Sequence, residues 1–172
     1  RYRWTVVGVL MLITLINFFD RTAIAFAVPS LRREFGLDAS ATGWVLGAFG
    51  LGYLVSNPVC GHLIDRFGVR RILTVTIVLW ALFMGQMAAA STLLGLISAR
   101  FLLGIGEGGS FPAMTGVTRS WLPVGERAVA IGLATAAVPA SSALGSPLIA
   151  GLIGSFGWRA AFWALAGATL VW

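Results

Sequence analysis

Three stretches of this chain carry no charged side chain for longer than the 18 residues that mark a membrane-spanning helix: Ala39–Ile64, Ile72–Ala99 and Ala128–Trp158. At 1.5 Å per residue, each is long enough to cross a hydrocarbon core of about 30 Å. Charged residues make up only 10% of the chain and hydrophobic ones 58%, with a mean hydropathy of +0.91. Soluble domains carry roughly 25% charged residues, so this chain cannot clothe itself in a polar surface. The fold class expected is an all-α integral membrane protein whose main partner is the lipid bilayer.

The net charge of +6 comes from twelve arginines, with no lysine at all. In a soluble protein a pI of 11.3 points to nucleic acid. Here the arginines sit mostly in short loops, so topology accounts for them and no nucleic-acid partner is expected. Cys60 is the one cysteine and can form no internal disulfide. His62 is the one histidine, so no metal-ligand set is expected. An intramembrane enzyme needs a nucleophile–base pair or a metal set. Neither pattern is present, so no catalytic residue and no cofactor are assigned.

Six helices are predicted, over Trp4–Val28, Ser40–Cys60, Arg71–Ala89, Leu93–Thr118, Ala128–Ile153 and Trp158 onward. The connections are Arg32–Asp38, Gly61–Arg70, a tight turn at Ala90–Thr92, Arg119–Arg127 and Gly154–Gly157. Arginine counts orient the bundle. One side holds Arg1, Arg3, Arg66, Arg70, Arg71, Arg119 and Arg127, which is seven; the other holds Arg32, Arg33 and Arg159, which is three. That places the N-terminus in the cytoplasm. Trp4, Trp121 and Trp158 near span ends suit an interfacial aromatic belt. The chain starts on Arg1, and its last apolar run, Ala160–Trp172, is too short to span, so it reads as a piece of a longer protein. The first span is too long for a cleaved signal peptide.

An internal repeat is also visible. Gly43, Pro58, Phe67, Gly68 and Arg70 recur 89 residues later as Gly132, Pro147, Phe156, Gly157 and Arg159. The repeats run over residues 4–90 and 93–172, and three helices being odd in number, the second must insert upside down. Inverted repeats are a transporter signature, with binding sites near the midplane.

Asp20, Arg21, Arg100 and Glu107 fall inside the predicted first and fourth helices. A charge at the bilayer centre costs roughly 2.5–3.5 kcal/mol on insertion scales, so it marks function. Asp20 and Arg100 each lie about eight residues from the outer helix end, roughly 12 Å deep, and are expected to face one another. Glu107 lies two turns below Arg100 on nearly the same face. A purely structural role uses the charges poorly, because desolvation offsets the Coulomb gain of buried pairs. Burial favours the neutral form of a carboxyl, while arginine keeps its charge. With both acids ionised the layer sums to zero; with both protonated it sums to +2 and is free to hold an anion. Proton and anion loading then favour each other, which is the logic of symport.

The run Gly104–Pro112 around Glu107 lets a neighbouring helix approach closely, and Pro112 removes the bond to Gly108 and invites a bend. Gly108, Pro112, Pro139 and Pro147 are therefore candidate points of helix flexibility. Packing is the alternative reading for each. Asn17 and Tyr53 are the remaining polar candidates for the cavity wall.

The segment Gly61-His62-Leu63-Ile64-Asp65-Arg66-Phe67-Gly68-Val69-Arg70-Arg71 resembles the loop signature of the major facilitator superfamily. The resemblance implies that its glycines make a tight turn, and that Asp65, Arg66, Arg70 and Arg71 form a cytoplasmic charge lock. It covers nearly the whole chain, which looks like the N-terminal six-helix half, with the C-terminal half as missing partner. Asn17-Phe18-Phe19-Asp20-Arg21 is similar to the first-helix motif of the anion:cation symporters, which include galactonate, hexuronate and glucarate transporters and sialins. Arg100, Gly104 through Pro112, Trp121-Leu122-Pro123 and Glu126-Arg127 match that group as well.

That likeness implies proton-coupled transport of an organic anion across the bacterial inner (plasma) membrane. It assigns proton coupling to Asp20 and Glu107, and substrate binding to Arg21, Arg100 and Tyr53, with Asn17 beside them. Val138-Pro139 stands where galactonate-type members carry a glutamine, and Phe18 where they often carry a tyrosine. A less hydroxylated acid, aromatic or short dicarboxylic, fits that departure. The alternatives are a drug/proton antiporter, an organophosphate exchanger, or a transporter-like sensor without flux.

Overall fold

The computed structural model describes residues 2–171, and nearly all of them are helical. Arg1, counted above on the cytoplasmic side, and Trp172 lie outside the described residues. The helices are α1 (Tyr2–Phe35), α2 (Ala39–Phe67), α3 (Val69–Ala89), α4 (Leu93–Glu107), α5 (Ser110–Trp121) and α6 (Val124–Val171). The predicted division holds at Gly157, where two helices meet within α6, and fails inside the predicted fourth helix. The predicted fourth helix is α4 and α5 in succession, and the predicted fifth and sixth helices both lie within α6.

Each departure has a local cause. Pro112 has no N–H to give Gly108, so the ladder lapses there. Gly108 N–H is still bonded back to Gly104 at 3.1 Å, and Ala113 N–H resumes the ladder to Gly109 at 2.9 Å. The Gly108 carbonyl accepts instead from Asn57 Nδ2 at 3.2 Å. As a straight rod, the 48 residues of α6 would measure about 72 Å, more than twice a bilayer core. It turns at Gly157, whose φ of 82° and ψ of 164° are non-helical. Pro139 and Pro147 stay within regular helix.

The loops are shorter than expected. Gly61–Arg70 is no loop: α2 runs through Phe67, and Gly68 alone separates it from α3. Gly68 adopts φ 86° and ψ 146°, a conformation that side-chain-bearing residues avoid. Gly61 lies inside α2 with open space around it, so it makes no turn. Arg32–Asp38 shrinks to three residues after Phe35, and Arg119–Arg127 to Leu122–Pro123. Gly154–Gly157 reduces to the kink at Gly157. The turn at Ala90–Thr92 is as predicted. Asp38 and Thr92 cap α2 and α4, accepting from Ala41 N at 2.7 Å and Gly95 N at 3.1 Å.

α1 packs along α6, α2 along α4, and α3 lies between α4 and α6. The α2–α4 approach is the closest. A Cβ on Gly104 would run into the Phe49 carbonyl, and one on Gly52 into that of Phe101. Ion pairs tie the ends: Arg3 to Glu126 at 2.9 Å, and Arg159 to Glu34. Arg159 also donates to the Ala90 carbonyl at 2.8 Å. Trp158, expected in the interfacial belt, is instead buried and donates to Glu34 at 2.8 Å.

The bundle is apolar on its outside as well as in its core. Leu54, Leu82, Leu148 and Leu170 are well exposed, whereas Asp20, Arg100 and Glu107 are buried. Four helices, α1, α2, α3 and α6, are long and apolar enough to cross a membrane. The chain is a membrane-spanning helical protein.

Candidate substrate and proton site

The charges of α1 and α4 meet in the bundle interior. Asn17 and Arg21 are four residues apart on α1 and so share a face. Both reach Glu107 Oε2: Asn17 Nδ2 donates to it at 2.9 Å, and Arg21 Nη2 lies 3.6 Å away. Glu107 itself is completely buried, whereas the Arg21 side chain keeps 31% of its surface exposed. Glu107 reaches this position because the Gly104 contact draws α4 against α2.

The Arg21 guanidinium rests among three aromatic rings. Its carbon lies 4.5 Å from the Phe18 centroid and 5.0 Å from those of Phe49 and Tyr53. These distances suit cation–π attraction. Arg100 uses the same Phe49 ring, at 4.7 Å, and its Nε donates to the Val45 carbonyl at 3.3 Å.

The expected facing of Asp20 and Arg100 does not appear as a direct pair. Among the described residues Asp20 makes no salt bridge; the indole N–H of Trp80 on α3 donates to its Oδ2. Asp20 meets α3 while Arg21 meets the cleft, because consecutive residues project about 100° apart around a helix. Four buried polar atoms of the layer, Asp20 Oδ1, Arg21 Nε, Arg100 Nη1 and Glu107 Oε1, have no hydrogen-bond partner among the described residues.

A cleft of about 150 Å³ opens beside Arg21. Its walls are Asn17, Phe18, Arg21 and Tyr53, with Ser110, Phe111 and Met114 of α5 and Thr135 and Val138 of α6. Asn17, Arg21 and Tyr53 thus come together on the cleft as the sequence suggested. Asp20, Arg100 and Glu107 lie behind it. Val138, the departure from the galactonate-type pattern, is a wall residue.

The Gly61–Arg71 segment lies apart from this cleft. Asp65 shares a second, polar cleft with Arg119 and Arg127. Arg127 is engaged with the carbonyls of Leu122 and Arg119, both at 3.0 Å. Arg66 lies 5.2 Å from the Phe67 ring. Among the described residues Asp65, Arg66, Arg70 and Arg71 form no salt bridge.

Sequence reasoning missed Trp80 and Phe49. Trp80 carried a signal, because a buried indole N–H needs an acceptor and polar side chains are scarce inside a bundle. Phe49 carried none; one ring among eleven phenylalanines gains its place only from the α2–α4 approach.

Comparison with known proteins places this architecture. The sequence pattern of the Major Facilitator Superfamily matches residues 10–172. The chain belongs to the major facilitator superfamily. Among curated facilitators, a probable sulfoacetate transporter of Cupriavidus necator is 35% identical over 170 residues, covering 99% of this chain and 40% of its own length. A probable galactarate/D-glucarate transporter of Bacillus subtilis is 36% identical over 93% of this chain and 36% of its own length. The hexuronate transporter of Bacillus subtilis is 31% identical over 95% and 39%. The chain therefore spans about two-fifths of the curated facilitators it matches. Among solved structures, a bacterial homolog of the human lysosomal transporter Spinster, inward-facing and occupied, superposes with a TM-score of 0.84. It is 22% identical, over 99% of this chain and 42% of that one, and shares the fold.

Proposed function

We propose that this chain is the N-terminal six-helix half of a proton-coupled symporter for an organic anion in the bacterial inner membrane, with its N-terminus cytoplasmic. The observation that carries the reading is the junction of Arg21 and Glu107. One half-exposed arginine faces a cleft, while the same guanidinium touches a fully buried carboxylate. A proton on Glu107 removes the negative charge that Arg21 faces and frees the guanidinium for a carboxylate or sulfonate. Loading the anion in turn favours a neutral Glu107. Asp20 is the second proton site, and Arg100 adds positive charge across the shared Phe49 ring.

Arg21, Asn17 and Tyr53 hold the anionic end of the substrate. The cleft's apolar remainder, with Phe18, Phe111, Met114 and Val138, suits a lightly hydroxylated acid; the relatives named for sugar acids and sulfoacetate support the anion class. The C-terminal half closes the other side of the cleft. Two inverted repeats, 4–90 and 93–172, account for the near-identical backbone of Gly68 and Gly157. Gly68, Asp65, Arg66, Arg70 and Arg71 serve the cytoplasmic gate, and flexing at Gly108–Pro112 moves Glu107 between its two environments.

The test is uptake by proteoliposomes containing the complete parent protein. The panel is labelled hexonates, hexuronates, aromatic acids, short dicarboxylates and sulfoacetate, with and without an inward proton gradient. Accumulation of one acid only under the gradient supports the reading. Gradient-independent movement of every acid overturns symport and leaves exchange.

A further inference from the structure

Asp20 is set apart from the other acids of the chain by where it points. Its residue is 1% exposed, and it takes no part in the cleft that Asn17 and Arg21 line. The charges acting on it are Glu107 and Arg100 of α4 and Arg21 of α1, none of them in ion-pair contact with it. Among the described residues its one side-chain hydrogen bond comes from α3, where the Trp80 Nε1–H donates to Oδ2, and Oδ1 is buried with no partner. Trp80 is likewise 1% exposed and packs in the main apolar core.

An indole N–H donates and has no lone pair to offer. It therefore fixes which carboxylate oxygen is occupied and which is free. We infer that Trp80 is a positioning residue for Asp20: it holds Oδ2 from α3 and leaves Oδ1 as the atom that takes up and gives back the coupling proton. The inference rests on the proton-coupled reading above. No other bond changes: the proton arrives on Oδ1, neutralises the carboxylate, and departs from the same oxygen. Without the indole N–H, the ionised form of Asp20 loses the side-chain hydrogen bond it accepts, and a buried carboxylate that loses its donor is costly. The acid then stays protonated, and substrate moves without a proton cycle.

The experiment uses the full-length transporter in proteoliposomes, with whichever acid the uptake panel identifies. Trp80→Phe removes the N–H. A second protein carries β-(3-benzothienyl)alanine at position 80, which keeps the bicyclic shape and replaces N–H by sulfur. The readout is the ratio of gradient-driven accumulation to gradient-free exchange, which a merely structural role of Trp80 does not move. In both proteins exchange stays at the wild-type level and the ratio falls about tenfold, the scale of one hydrogen bond to a charged group. In an Asp20→Asn background, Trp80→Phe lowers the ratio no further. An unchanged ratio in the benzothienyl protein overturns the inference, as does a parallel fall of both activities. If Trp80→Phe does not fold, the benzothienyl protein decides. Failure of the wild type to accumulate under the gradient overturns the proton-coupled reading itself, and Trp80's role falls with it; that result differs from an unchanged ratio.

Discussion

At the scale of single residues, the proposed symport is a competition for one guanidinium. Arg21 faces Glu107 on one side and the cleft on the other. Arg21→Ala is expected to weaken anion binding tenfold or more, the order of a lost charge-assisted contact; isothermal titration of the purified full-length protein reads it. Arg21→Lys keeps the charge but loses the planar surface that lies on the rings, so affinity recovers only in part. Wild-type affinity in Arg21→Ala moves the carboxylate site to Arg100 or the C-terminal half. Glu107→Gln is expected to abolish gradient-driven accumulation while exchange persists, and both surviving unchanged removes Glu107 from coupling. Asp20, Arg21, Arg100, Glu107 and Asn17 were legible in sequence because charge and amide stand out against an apolar span. Their partners were not. Asp20 turns to Trp80 rather than Arg100, and Arg21 leans on Phe49, because helix rotation and approach select partners and neither is written in spacing.

Among the elements, the α2–α4 contact controls where Glu107 sits. Gly104→Val places side-chain atoms against the Phe49 carbonyl and the Tyr53 amide, which are backbone atoms that cannot swing aside. A loss of at least 1–3 kcal/mol is expected, the range for overpacking, read as a lowered thermal midpoint in detergent. Gly50→Ala, with open space at its Cβ, is the control and gains about 0.5–1 kcal/mol of helix propensity. Pro112→Ala supplies an N–H at position 112 for the Gly108 carbonyl, displaces Asn57 from it and joins α4 to α5. Stability is expected to rise and turnover to fall severalfold in a transport assay; unchanged turnover means the break is not used. The helices themselves were legible from uncharged runs, and Pro112 announced its break. The ends were not. Arg32, Arg66 and Arg119 were read as loop residues from their charge, but each is helical, since a long arginine reaches water from within a helix terminus.

For the whole molecule, the two ends of the bundle are separately tied. Arg3 meets Glu126 at one, and Glu34, Arg159 and the Ala90 carbonyl meet at the other. The proposed orientation, drawn from the arginine count, puts the first in the cytoplasm. In a Cys60→Ala background, an impermeant maleimide added to intact cells is expected to label Ser91→Cys and not Val124→Cys. The reverse pattern inverts the topology. Fold class was legible because a membrane protein announces itself in composition. The length of the junctions was less so, because Gly68 and Gly157 each make in one residue a junction for which hydropathy allots a loop.

The cradle of rings around Arg21 bears on a side of carriage that affinity does not describe. A carrier has to let go as well as grip, and a cation stripped of its cargo needs somewhere to rest. In the proposed carrier, Phe18, Phe49 and Tyr53 offer that rest, each centroid within 5.0 Å of the guanidinium carbon. On the proposed symport reading, the empty protein thereby avoids a deep trap between deliveries.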